Sequence, residues 1–193
     1  MAQSAAAMGS IDSAGFELRR SGAEVRVQGM VFDEAVGQYG APDTARALLD
    51  VRAAGVALQL GTIAVADRTW LTNPLTGDWE ELELGTGFNA ATVFADDTGW
   101  QALLPGMSGA RYAGTDGGCS DPRRIGGTLP PAAIETLTLG IVPAQEVEVI
   151  LLVDATTSRL VSASFETDGE AGTSAWEIVL SDYDAPADIA PPE

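Results

Sequence analysis

Residues Pro143 to Glu166 read PAQEVEVILLVDATTSRLVSASFE, and the fold is decided here. Val147, Val149, Leu151 and Val153 fall at every second position, so they share one face of a strand. The other face begins polar with Glu146 and Glu148 and turns apolar at Ile150 and Leu152. A polar run, Ala155 to Arg159, interrupts the pattern. Val161, Ala163 and Phe165 then alternate with Ser162, Ser164 and Glu166. An odd-numbered loop, Ala155 to Arg159, pairs Val153 with Val161, Leu151 with Ala163 and Val149 with Phe165. One face of the hairpin is then wholly apolar, and a one-residue slip would turn half of it to water. That face needs a cover: a second sheet, helices or a ligand.

Working outward, alternation marks further strands around Phe16 and Leu18, from Ala23 to Val31, and from Ala45 to Val51. Asp33 to Pro42 reads as turn-rich. Val56, Leu58 and Leu60 continue into Ile63 and Val65 with the opposite parity, which predicts a bulge near Gly61. Asn73 to Gly77 is a hairpin loop. The period then changes. In Phe88 to Pro105, Val93 and Phe94, then Trp100, Leu103 and Leu104, sit at helical spacings behind a candidate cap at Asn89. Two short helices are expected there. Gly106 to Gly127 holds two short strands around Tyr112 and Arg124-Ile125. Pro130-Pro131 opens a third helix with Ile134, Leu137 and Leu139 on its apolar side. A last strand runs from Ser174 to Tyr183. About nine or ten strands joined by short loops imply an antiparallel sheet. With helices gathered on one face, the class is α+β. Ala23, Gly29, Ala45, Ala47 and Ala163 are small residues at inward positions. They suit a cavity and close helix packing equally.

The chain has 193 residues, which suits one domain, here 15–184 between a flexible lead-in at 1–14 and a flexible tail at 185–193. It carries 28 acidic and 10 basic residues, for a formal charge of −18. Such acidity argues against nucleic acid and anionic lipid surfaces as partners. There is no His, which excludes Ser-His and Cys-His catalysis and His-bound metals. Cys119 is the single cysteine, with only Arg123 and Arg124 nearby, and lacks a base. Asp96-Asp97 fits an exposed helix end better than an acid–base pair. Trp70, Trp79, Trp100 and Trp176 fit a core as well as a sugar platform. No phosphate-loop motif occurs. No apolar run is long enough to cross a membrane, and the opening residues are not a signal peptide. No catalytic residue, metal or cofactor is predicted.

FNAATVFADDTGWQALL, RIGGTLPPAAIETL and VEVILLVDATTSRLVSASFE follow one another in that order, after the hairpin WLTNPLTGDW. This series resembles the LppX/LprG-type cell-envelope lipoproteins. The family's helix pair opens on Phe with Asp or Asn and closes on G-x-x-x-L-L, as at Gly99 to Leu104. A G-x-L-P element leads its next helix, as at Gly127 to Pro130. The resemblance spans Phe16 to Tyr183. It implies a strongly curved half-barrel like that of the LolA/LolB carriers, with short helices closing an apolar cavity on the concave side. It implies binding and carriage of a long-chain acyl lipid or glycolipid, with membrane-associated donor or acceptor proteins as partners. Family members are exported and anchored through an N-terminal lipidated cysteine. No cysteine precedes Cys119 here, so either an anchor lies outside this sequence or this mode of anchoring does not apply.

On this reading the protein is a non-enzymatic lipid carrier of the cell envelope. The cavity wall would be Val147, Val149, Leu151, Val153, Val161 and Phe165. The lid would be Val93, Phe94, Trp100, Leu103, Leu104, Ile134 and Leu137. The alternative is a structural or protein-interaction module whose apolar face is packed solid. A glycosidase resting on Asp and Trp content is a distant third.

Overall fold

A computed structural model describes residues 1–27, 29–83, 86–115 and 122–192. Twelve strands form one sheet: β1 (Ser13–Gly22), β2 (Arg26–Val27), β3 (Met30–Gly40), β4 (Thr44–Ala53), β5 (Val56–Val65), β6 (Arg68–Thr72), β7 (Trp79–Glu81), β8 (Ser108–Thr115), β9 (Arg123–Leu129), β10 (Val147–Val153), β11 (Leu160–Gly169) and β12 (Gly172–Ser181). The order is β7-β6-β5-β4-β3-β1-β12-β11-β10-β9-β8, with β2 paired to β3. Every pairing is antiparallel. The path ends at β7 and β8, so the sheet is an open half-barrel. It consists of two meanders, β3–β7 and β8–β12, with β1 between them. Three short helices, α1 (Ala2–Met8), α2 (Trp100–Gly106) and α3 (Pro131–Leu137), accompany a 3-10 turn at Ala90–Val93.

The inner face follows from alternation. In β10 the odd residues are buried, while Glu148 faces water and Ile150 and Leu152 are half-buried. In β12 Trp176, Ile178 and Leu180 point in. In β4 Ala45, Ala47, Leu49 and Val51 do so. These residues share one core with Trp100, Leu104, Ile134 and Leu137 from the helices. Gly37 has to be glycine for a steric reason: a Cβ there would lie 2.4 Å from the Phe16 ring and 2.3 Å from the Arg46 carbonyl oxygen. Gly99 likewise lets the chain fold back between the 3-10 turn and α2, since a Cβ would meet the Val93 carbonyl at 2.4 Å.

The expected register holds where Val149 faces Phe165 and Leu151 faces Ala163. It shifts between Leu152 and Val153, so Val153 faces Leu160, not Val161. A bulge has added one residue: Leu160 takes the inward place and is fully buried, and Val161 is left half-buried. Asp33 to Pro42, expected to turn, is mostly strand β3. The bulge expected near Gly61 is absent, because β4 and β5 pair without interruption from Thr44–Val65 to Ala53–Val56. The even residues Leu60, Thr62 and Ala64 stay inward, and Ile63 lies on the outer face. The true β3 bulge is at Asp33. Gly29 is an exposed turn residue at φ +83°, not an inward strand position. Residues 2–8, expected as part of a loose lead-in, form α1, which packs on α2 and buries Ala5 and Met8. Cys119 lies outside the described residues.

Candidate functional site

The concave side is filled unevenly. Under β10 and β11 the packing is dense. Val149, Leu151 and Leu160 are 0% exposed, and Trp100, Leu104, Ile134 and Leu137 are at most 1% exposed. At the seam with the other meander, Trp176 stacks on Phe165 at 6.4 Å and on Phe32 at 6.0 Å. The Trp176 indole N–H donates to Thr167 Oγ1 at 2.8 Å, so this buried polar group is satisfied and its ring is fixed.

Beyond Phe32 the space opens. A cavity of about 240 Å³ lies against β3 to β6, walled by Phe32, Leu49, Val51, Leu60 and Leu71 and roofed by Ile141. The segment 86–88 crosses one side of it, pinned by a hydrogen bond from Thr62 Oγ1 to the Phe88 carbonyl at 3.0 Å. A second void of about 20 Å³ lies between Phe16, Val93, Phe94 and Leu137. Phe88 and Leu139 line both spaces. Phe94 is held there by stacking on Tyr39, ring centres 4.3 Å apart.

An open groove of about 750 Å³ adjoins the cavity. It is lined by Asp67, Thr69, Asn89, Thr92, Glu135 and Thr136 among others. Cavity and groove share four rim residues: Thr86, Gly87, Leu139 and Gly140. Local chemistry builds the rim. The Thr138 hydroxyl donates to the Ile134 carbonyl at 2.7 Å and accepts from the Val142 N–H at 3.2 Å, which ends α3. The Gly140 N–H returns to the Glu135 carbonyl at 2.8 Å. Leu139 is thereby held at φ +53°, a left-handed conformation uncommon for leucine.

An ion cluster braces the far side of the cavity. Asp33, extruded by the β3 bulge, accepts from Arg52 Nε at 2.7 Å and from Arg20 at 3.0 Å. The Arg20 side chain is 4% exposed and also donates to the Phe32 carbonyl at 2.6 Å. Hydrogen bonds from Arg52, then Arg20, hold the Asp33 carboxyl below its usual range against the opposing effect of burial.

Of the thirteen predicted site residues, Val93, Phe94 and Leu137 line the small void. Val147, Val149, Leu151, Val153, Phe165, Trp100, Leu104 and Ile134 are buried in the packed core, and Leu103 and Val161 are half-buried. The larger cavity belongs to strands whose inward residues were legible from alternation. Of the segments 86–88 and 139–141 that close it, Leu139 was expected on the apolar side of the third helix but lies beyond its end at Leu137. Asp96 and Asp97 sit in an exposed turn. Among the described residues no cluster of three or more Cys, Asp or Glu could hold a metal ion. Among the described residues no helix is long and apolar enough to cross a membrane.

A family model described as LppX_LprAFG lipoprotein matches residues 1–189. No curated protein matches the chain. Among solved structures, LprF from Mycobacterium bovis aligns with a TM-score of 0.75 at 14% identity, covering 98% of this chain and 93% of that one. Lipoprotein LppX from Mycobacterium tuberculosis aligns with a TM-score of 0.64 at 17% identity, covering 97% and 94%. Both share the fold. A LolA-superfamily protein from Nitrosomonas europaea reaches a TM-score of only 0.31 at 13% identity, covering 94% and 92%, which is too low to establish a common fold.

Proposed function

The chain belongs to the LppX_LprAFG lipoprotein family, and on that premise we propose that it binds acylated lipids in the cell envelope. The acyl chain occupies the cavity against β3 to β6, and the polar end lies in the adjoining groove. One observation carries this reading: an apolar cavity and a polar groove meet along a common rim at Thr86, Gly87, Leu139 and Gly140. That is the shape of an amphiphile. Burying a chain at about 25 cal/mol per Å² supplies affinity without exact polar contacts. The walls are aliphatic and aromatic, so the site binds without reacting. Carriage between membrane-associated donor and acceptor proteins, outside the cytoplasm, completes the proposal.

A second reading, an interaction module with a solid core, draws on the dense packing under β8 to β12. It also draws on size: about 240 Å³ is below the ~300–1,000 Å³ usual for a ligand pocket. Denaturing extraction followed by lipid mass spectrometry separates the two, together with titration by a fluorescent fatty acid. Lipid recovery, or uptake of one probe per chain, is expected. No lipid and no uptake would leave the interaction module standing.

A further inference from the structure

We propose that the convex face carries a second binding site, a trough on β3, β4 and β5 that takes an extended chain of pyranose sugars. It lies on the opposite face of these strands from the cavity and does not depend on the lipid-binding reading.

The floor of the trough is a row of cross-strand partners: Val36 faces Leu48, and Leu48 faces Gly61. Val36 and Leu48 are exposed on the outer face and make an apolar strip in water. The indole of Trp79 ends the row. Its six-membered ring lies over Gly61, where a Cβ would stand 2.9 Å from Cη2, yet the residue stays 36% exposed. Gly61 is not at a left-handed φ, so its missing side chain serves as the seat of the ring. Longer polar side chains stand on both sides. On one, Arg46 Nη2 donates to Gln38 Oε1 at 3.1 Å; on the other, Gln59 Nε2 donates to Asp50 Oδ1 at 3.0 Å. These bonds orient the walls and leave capacity for a ligand, since a guanidinium has five N–H donors and Gln59 keeps its carbonyl oxygen. The trough encloses about 770 Å³, and in a chain of charge −18 Arg46 is the one charged residue among the described residues lining it.

A pyranose ring has the matching plan: apolar C–H faces, with hydroxyls around the edge. Its faces rest on Leu48 and the indole, and its edges meet an arginine and two amides. A fatty chain would leave both polar walls unanswered. Three strands about 4.8 Å apart make the floor about 10 Å long before the indole, so a chain of linked rings fits better than a single sugar.

The test titrates the folded protein with cellotetraose and chitotetraose, both flat chains of linked rings, and with glucitol, which has the hydroxyls and no ring face. Backbone amide shifts and tryptophan emission are the readouts. At least one tetrasaccharide should bind, with shifts centred on Leu48, Gly61 and Trp79, and glucitol should not. Trp79→Ala should weaken binding about tenfold, the scale of one aromatic contact, and Trp79→Phe should keep most of it. Gly61→Ala should lift the indole and weaken binding severalfold. Val56→Ser removes an apolar residue that is 59% exposed on β5 outside the trough, and should change nothing. If Trp79→Ala disrupts β7, Arg46→Ala keeps the indole and should still weaken binding severalfold through the lost charged donor. No shift with either tetrasaccharide up to its solubility limit overturns the proposal. So does undiminished binding by a folded Trp79→Ala, which would put the sugar elsewhere. Dimers in sedimentation that Trp79→Ala dissolves, with no sugar bound, would make the trough a contact between copies and overturn it too. The fatty-acid titration on the same variants should not move, so failure here leaves the lipid-binding reading untouched.

Discussion

The two meanders of the sheet use the same alternation to different ends. In β10 the inward residues are almost wholly buried, and in β12 only a void of about 20 Å³ lies against Ile178 and Leu180. In β4 and β5 the inward positions are as regular, but the irregular segments 86–88 and 139–141 lie over part of them, and a cavity of about 240 Å³ is left. The strands do not make this difference; the cover does. Helices bring close-spaced apolar side chains, whereas an irregular segment brings few. A pattern in a strand therefore says which residues face inward and not whether they meet anything.

The sharpest way to break the contrast is a large residue on each side. Val149→Trp places an indole where Phe165 and Gly127 already face it across the ladder. We expect a loss of about 3 kcal/mol, the upper end for overpacking, read by urea unfolding. A near-neutral result would mean that the packed meander hides room. Leu60→Trp, on the cavity wall, should cost about 1 kcal/mol or less because space is present. Binding of a fatty-acid probe should fall about tenfold as the chain's volume is occupied. Unchanged binding would move the site elsewhere.

Much of this was legible in advance. Val149–Phe165 and Leu151–Ala163 follow from period-two alternation, and Asn89 caps the 3-10 turn by accepting from the Ala91 N–H at 3.0 Å. The misses have physical causes. The Leu160/Val161 bulge slips a register by one residue with no change in composition. Strand β3 hides behind Gly37 and Gly40, and the first glycine is explained only by its neighbours across the sheet, the Phe16 ring and the Arg46 carbonyl. Ile63 suggested a parity change because the outer face also carries apolar residues, with Val36 48% and Leu48 51% exposed. The rim was invisible, since Leu139 reads as one more helical leucine.

Leu139→Gly sharpens the comparison at that rim. It removes the side chain shared by the cavity and the small void, so the two should merge and longer chains should bind more tightly, by about threefold. Relief of ~1 kcal/mol of left-handed strain offsets much of the lost burial, so the melting temperature should shift little. A large destabilisation would show that Leu139 belongs to the packed core.

A further test concerns acid. Asp33 has a depressed carboxyl pKa, so its contribution is present above the ordinary value of 3.8 and is lost as pH falls through the folded value. The cavity side should loosen first, with amide exchange at β2 and β3 rising before that at β10 and β11. Asp33→Asn should cost about 1 kcal/mol at neutral pH and remove this part of the acid dependence. Uniform exchange across both meanders on acidification would contradict it.

The open path from β7 to β8 has a consequence for capacity. A closed barrel has its radius fixed by strand number and shear, and it widens only by breaking backbone hydrogen bonds between strands. Two meanders joined at β1 can spread like the covers of a book, with every ladder intact. The work of spreading falls on side-chain contacts across the concave side. Those contacts are sparse at the cavity and dense beside it. Compliance is thus built in on one side and stiffness on the other, and the resting volume is a floor, with the ceiling set by how far the segments 86–88 and 139–141 can lift.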